Sequence, residues 1–384
     1  MTDTYLLPDQ VFDGVSLSGG KALQIGDSHV QAILPVAEIP AEAAIQDISG
    51  IASPGFTDLQ VNGGGDTLLN IDPTPEGLLR IAAAHHALGT VEILATVITD
   101  EIDIIARAAD AVIELGPHTR IAGLHIEGPH IAPVRRGTHA ADLVRPMDER
   151  TLGILRRLRK AQVTTMITVA PEAVTLDQIR EMDQMGVIVS LGHTDTTAED
   201  AQAAFSAGAR CVTHLFNAMS QIQNRAPGLV GAAINSDVYA GIICDGHHVA
   251  DSLVGMAIRA RPVPDRMFLV SDAMPTVGGS PAFTLYGQTI RLQDGRLVNQ
   301  EGSLAGAHVT MFQAVQRLVS HTGTSLETAL RMATSIPRAV IAHKDAPNPC
   351  LLGRAIEDVL IIDNDLGGYQ RVELPEIIPG RLAI

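Results

Sequence analysis

From about residue 51 the chain alternates between short β-branched or apolar runs and longer amphipathic stretches. The strand candidates are 51–60, 91–98, 121–127, 164–169, 187–193, 210–214, 240–244 and 267–271. Helical patterns separate most of them, at 75–88, 101–115, 148–160, 175–185, 197–207 and 250–260, and a longer one, 307–320, follows the last. Strands that recur after helices pair in parallel. Eight such units predict an α/β fold, a (β/α)8 TIM-type barrel of about 290 residues. The competing architecture is an open doubly wound sheet. No GxGxxG follows an early strand, which removes that fold's usual dinucleotide signal.

The two ends read differently. Residues 1–50 are short strands punctuated by Gly and Asp. After residue 345, LLGRAIEDVLIIDNDLGGYQRVEL reads as two strands joined by a Gly-Gly turn. The expected organisation is a small β-sandwich-like domain from 1–50 plus 346–384, and a barrel over 51–345.

A barrel carries its chemistry at the C-terminal strand ends. Candidate strands three, five, six and eight end at Glu127 (LHIEGPHIAP), His193 (VSLGHTD), His214 (VTHLFNAM) and Asp272 (LVSDAMPTVG). Singly, each has an ordinary reading as a turn, core or helix-capping residue. Together they describe two imidazoles and a carboxylate for a divalent metal, with a further carboxylate as a proton acceptor. That chemistry is metal-assisted hydrolysis of an amide or a related bond. Barrel hydrolases of this type often carry His-x-His at the end of strand one, where this chain has Gln60 and Asn62. Amides are poor ligands beside imidazoles, so one metal is expected rather than two. No lysine in the strand-four stretch MITVAPE could serve as a carbamate bridge.

With no Trp and 3% aromatic residues, the core must rest on Ala, Val, Ile and Leu. The net charge of −16 argues against nucleic acid or an anionic membrane as partner. An anionic substrate then needs cations concentrated at the pocket. Cys211, Cys244 and Cys350 are widely spaced without a CxxC pair, so no thiolate zinc site is suggested. The opening MTDTYLLPDQ shows no signal peptide, and no apolar run reaches 18 residues. A reducing cytoplasm is the expected location.

Taken in order, PGFTDLQVNG, LHIEGPHI with RRGTH, LGHTD, THLFNAM, NRAPGLVGAA, DGHHV and SDAM resemble the N-acetylglucosamine-6-phosphate deacetylase family of the amidohydrolase superfamily. The resemblance spans residues 50 to about 345. It implies hydrolysis of the acetamide of N-acetyl-D-glucosamine 6-phosphate to D-glucosamine 6-phosphate and acetate. By that pattern Glu127, His193 and His214 hold one divalent metal, zinc first, with iron, cobalt or manganese as alternatives. Asp272 would be the general base and acid. His139 would contact substrate and assist at the carbonyl. Asn217 and Ala218 would bind sugar or phosphate, and His248 and Arg225 phosphate. Arg225 would reach across a homodimer interface. Gln60 and Asn62 fit the single-metal branch. His85, His86, His125 and His130 read as structural, and Arg135 and Arg136 as solvated charges near the site. The alternatives are an amidohydrolase acting on N-acetylgalactosamine 6-phosphate, another acyl amino sugar, a cyclic amide or a dipeptide, and a silent sugar-phosphate-binding protein. The loop DAMPTVGG leaves the hexosamine epimer open.

Overall fold

The computed structural model describes residues 4–118, 120–299, 302, 304–343 and 350–372. The chain divides into two compact units, Phe56–Pro347 and the joined ends Met1–Gly55 with Asn348–Ile384.

The larger unit is built on eight strands: β1 (Phe56–Val61), β2 (Thr90–Ile98), β3 (Ile121–Glu127), β4 (Thr164–Val169), β5 (Ile188–Leu191), β6 (Cys211–Val212), β7 (Tyr239–Ile242) and β8 (Met267–Leu269). They pair in sequence order, every neighbour parallel. A parallel bridge from Val61 to Ala273 ties the end of β1 to the segment after β8, bringing the sheet round towards closure. This is the (β/α)8 architecture. Its strands are buried almost throughout, which is why they read as continuous apolar runs rather than alternating ones.

Helices α1 (Pro75–Ala87), α2 (Ile102–Leu115), α3 (Glu149–Lys160), α4 (Leu176–Gln184), α5 (Ala198–Ala207), α6 (Gly228–Ile234), α7 (Asp251–Ala260) and α8 (Met311–Thr322) supply the crossovers. Their starts are written in the sequence. Thr74, Asp148, Thr175, Thr197 and Thr310 each accept a first-turn N–H, and Thr175/Gln178 and Thr310/Gln313 form full capping boxes. No helix among the described residues is long and apolar enough to cross a membrane.

Three features depart from the sequence reading. The first strand, expected at 51–60, is two strands: residues 51–54 end Ala44–Pro54 of the terminal unit, and the barrel strand starts at Phe56. α6 was not foreseen, because GLVGAAI is too short and glycine-rich to show a helical period. Between β8 and α8 lies an antiparallel meander, Ala282–Leu285, Gln288–Gln293 and Arg296–Val298. Its turns, Tyr286-Gly287 and Asp294-Gly295, have positive φ at both central residues, the hairpin geometry that matches strand twist. Its apolar side chains Leu285, Ile290 and Leu297 pack with Leu68, Ile98 and Met274.

In the terminal unit, Thr4–Phe12 runs parallel to Ala44–Pro54, which pairs antiparallel with Val359–Ile362. The expected tail hairpin is Val359–Ile362 with Tyr369–Arg371. Leu6, Val11, Leu23, Ala52, Val359 and Ile361 fill the core. The strands are connected by hydrogen bonds into one sheet, in which Thr4–Phe12 takes Leu17–Gly19 and Lys21–Gly26 along one edge. The expected boundary at 345/346 lies outside the described residues.

Candidate active site

Glu127 is the last residue of β3, His193 and His214 each lie two residues past β5 and β6, and Asp272 lies three past β8. Glu127, His193 and His214 are buried, while Asp272 keeps some exposure. His193, His214 and Asp272 have φ of 48°, 28° and 51°. Left-handed backbone costs a non-glycine residue about 1–3 kcal/mol and concentrates at functional sites. Gly192 lets the chain leave β5 at this angle, since a Cβ there would lie 2.9 Å from both Thr168 Cγ2 and Thr213 Cβ. Beneath, Thr168, Ser190 and Thr213 share hydroxyl hydrogen bonds inside the barrel.

The four groups converge. His214 Nε2 lies 3.0 Å and His193 Nε2 3.3 Å from Glu127 Oε1, and the two Nε2 atoms are 3.1 Å apart. His193 donates Nδ1–H to the Arg135 carbonyl at 2.9 Å, which leaves Nε2 facing Glu127. Two ring nitrogens crowded against one carboxylate oxygen suit a cation between them. Ligands about 2.0–2.1 Å from a tetrahedral centre sit about 3.3 Å apart, close to the observed spacing. The donor set fits a divalent ion. A ligand-capable atom of His139 also lies within 4.8 Å of those of Glu127 and His193. Burial pushes the Glu127 pKa up, but hydrogen bonds and charge from His193 and His214 outweigh it and hold the carboxyl well below its ordinary value. His214 is shifted the other way: burial lowers it and Glu127 raises it further.

Asp272 Oδ1 accepts from Asn62 Nδ2 at 2.7 Å and from Gln60 Nε2 at 3.2 Å, and Gln60 Nε2 also reaches Glu127 Oε1 at 3.0 Å. Amide N–H groups, not ring nitrogens, therefore face the Asp272 and Glu127 oxygens from the end of β1. Burial, then the Glu127 charge, push the Asp272 carboxyl up to about 6. Deeper in, Asp58 accepts from the Ser271 N–H at 3.2 Å and from its hydroxyl, fixing the chain just before Asp272.

Glu127, His193, His214, Asp272 and Asn62 share a pocket of about 170 Å³ with His139, Asn217, Ala218 and His248, while Ile98, Met274 and Leu304 give it an apolar wall. His139 Nδ1 lies 2.7 Å from Thr99 Oγ1. Burial, then the neighbouring His193, lower the His139 pKa to about 3, so the ring is neutral. His248 Nδ1 lies 2.6 Å from Asp245 Oδ2, while His247 does not line the pocket. Asn217 Nδ2 donates to the His214 carbonyl at 3.3 Å, and Ala218 has φ of 49°. Arg225 is exposed on the loop before α6 and does not line this pocket.

His125 is pinned by the Leu59 carbonyl and Thr168, and burial lowers its pKa to about 4. His130 is held by the Arg145 carbonyl and Thr151, and His85 by the Gly63 carbonyl. Arg135 is more than a solvated charge: its guanidinium pairs with Asp195 at 2.7 Å while its carbonyl orients His193. Thr99, Asp245 and Asp58 were missed. Asp58, in the same stretch as Gln60 and Asn62, and Asp245, which opens DGHHV three residues before His248, had a usable signal in their placement; Thr99 had none, since its partner is 40 positions away.

A parallel barrel with His and carboxylate ligands at its strand ends is the architecture of metal-dependent amidohydrolases. The amidohydrolase family profile matches residues 51–343, and the chain belongs to that family. Within it, the chain is 40% identical over 297 residues to the N-acetylgalactosamine-6-phosphate deacetylase of Shewanella sp. (strain ANA-3), covering 76% of this chain and 75% of the relative. It is 33% identical over 331 residues to the N-acetylglucosamine-6-phosphate deacetylase of Haemophilus influenzae, covering 84% and 86%. The crystal structure of N-acetylglucosamine-6-phosphate deacetylase from Pasteurella multocida superposes with a TM-score of 0.87 at 30% identity, over 96% of this chain and 100% of that one.

Proposed function

We propose that this protein hydrolyses the acetamide of N-acetyl-D-glucosamine 6-phosphate, releasing acetate and D-glucosamine 6-phosphate. One divalent ion per chain is held by Glu127, His193 and His214, zinc first, with iron, cobalt or manganese as alternatives. The observation that carries the reading is the convergence of those three groups, 3.0–3.3 Å apart, beside the Asp272 carboxylate at one pocket. The deacetylase relatives support the substrate class.

When bound, the ion supplies positive charge that acidifies water and polarises the acetamide carbonyl. Asp272 takes the water proton and passes it to the departing amine. One carboxyl serves both steps, because the proton it takes from water is the proton it delivers. Gln60 and Asn62 leave Asp272 Oδ2 free of their amides and aim it. His139 donates to the carbonyl oxygen. Asn217, the Ala218 backbone and His248 bind the sugar phosphate.

No lysine or arginine lines the pocket among the described residues. A dianionic substrate therefore needs a cation from elsewhere, and exposed Arg225 of a second subunit supplies it in a homodimer. A reducing cytoplasm suits the free thiols Cys211 and Cys244. A second reading is the galacto epimer, favoured by the 40% identity to the Shewanella enzyme. Acetate release from N-acetylglucosamine 6-phosphate, its galacto epimer and unphosphorylated N-acetylglucosamine decides. The proposal expects the gluco phosphate to turn over fastest and the free sugar to be poor. A faster galacto epimer establishes the second reading, and equal rates with and without phosphate reject both.

A further inference from the structure

His139 can serve the pocket in two ways that require opposite tautomers. With a proton on Nε2 it donates to a substrate oxygen. With Nε2 bare it is a further metal ligand beside Glu127 and His193, which its position allows. We propose that Thr99 is a positioning residue that makes this choice: its hydroxyl donates to His139 Nδ1, so that Nε2–H faces the substrate. The proposal deepens the deacetylase reading and rests on it for the identity of the substrate.

Thr99 follows β2 directly and is fully buried. A hydroxyl has one proton to give. Its oxygen has two neighbours among the described residues, His139 Nδ1 at 2.7 Å and the Glu127 carbonyl at 3.5 Å. The longer contact lies outside the ordinary range of about 2.5–3.0 Å for O–H···O bonds. If Nδ1 were the donor, the buried hydroxyl proton would be left with that poor acceptor, an arrangement folded proteins avoid. The proton therefore points at Nδ1. A ring that accepts a hydrogen bond at Nδ1 carries its own proton on Nε2.

Thr99 is itself held from two further directions. The Tyr286 hydroxyl, from the meander after β8, donates to the Thr99 carbonyl. Residue 128 is a glycine with φ of 78°, and a Cβ there would come within 2.3 Å of Thr99 Oγ1. The space for the hydroxyl is kept by the absence of a side chain opposite. On this arrangement His139 acts on substrate and leaves the ion to Glu127, His193 and His214.

Thr99→Val removes the hydroxyl at nearly constant shape, and Thr99→Ser retains it. In the zinc-loaded enzyme, Thr99→Val should lower kcat about 10- to 100-fold with KM and zinc content little changed. Thr99→Ser should restore most of the loss. Nitrogen NMR of ¹⁵N-histidine-labelled protein, with His139 assigned through His139→Gln, reads the tautomer without turnover. The wild type should show Nε2 protonated and Nδ1 bare, whether or not Thr99→Val folds. A protonated Nδ1 in the wild type, or Thr99→Val within threefold of wild-type kcat, overturns the proposal. If the wild type released acetate from no N-acetylhexosamine 6-phosphate, the deacetylase reading would fail, and the NMR result would still decide the tautomer.

Discussion

Asp272→Asn should move activity and stability in opposite directions. In the folded chain the carboxyl is pushed from 3.8 to about 6, by burial first and then by the Glu127 charge. The native state therefore binds this proton more tightly than the unfolded chain does. Its stability cost is absent below about pH 4, grows between about 4 and 6, and is fully present above about 6. A shift of this size corresponds to on the order of 3 kcal/mol. Solvent reaching the partly exposed carboxyl screens some of it, leaving about 1–3 kcal/mol. Asparagine is neutral, and its carbonyl oxygen can still accept from Asn62 and Gln60. Metal-free Asp272→Asn should thus be about 1–3 kcal/mol more stable than wild type at pH 7.5, with the gain vanishing near pH 4. Urea denaturation of chelator-treated protein at both pH values reads this. The same variant, loaded with its ion, cannot accept the water proton and should lose about 10²–10⁴ in kcat. A metal-free variant that is less stable than wild type at pH 7.5, or one retaining a tenth of wild-type turnover with metal bound, would refute the reasoning.

Elemental analysis of protein purified without chelator should find one divalent ion per chain, and His214→Ala should lose it; two tightly held ions per chain would contradict the single-metal reading. Arg225→Ala should lower kcat/KM for the phosphorylated sugar about 10- to 200-fold, as loss of a charge-assisted contact does, with little change for the free sugar. Randomly mixed Arg225→Ala and Asp272→Asn chains should regain about a quarter of the sites if Arg225 serves the neighbour, and none if it serves its own chain. Gly192→Ala places a methyl 2.9 Å from Thr168 Cγ2 and Thr213 Cβ and should destabilise the fold by about 1–3 kcal/mol in denaturant melts, with metal content falling alongside. A variant of wild-type stability and metal content would show that the barrel interior can give way there.

The barrel was legible because its strands, buried on both faces, are apolar runs of the right length, and because capping residues mark the helix starts. That Glu127, His193, His214 and Asp272 come together was legible because strand ends share one face of a barrel. The first strand was misplaced because apolar residues recur through ISGIASPGFTDLQV on both sides of Pro54-Gly55, where the chain passes from one sheet to another. The meander was hidden by strands such as QTIRLQ, half-exposed and only weakly patterned. Thr99 could not be read at all. Its importance lies in a contact with a residue 40 positions away, and nothing in the local sequence records a hydrogen-bond direction.

The pairing of Ala44–Pro54 with Val359–Ile362 has a consequence for synthesis. The two partners are separated by about 300 residues, so at about 5–20 residues per second the earlier strand waits on the order of 15–60 seconds for its neighbour. Until then Ile51 and Ala52, both buried in the finished sheet, stand on an open edge that invites pairing with another nascent chain. The tail strand acts as a late-arriving guard. Chains terminated after the barrel but before Val359 should accumulate in inclusion bodies even where the catalytic unit itself is intact.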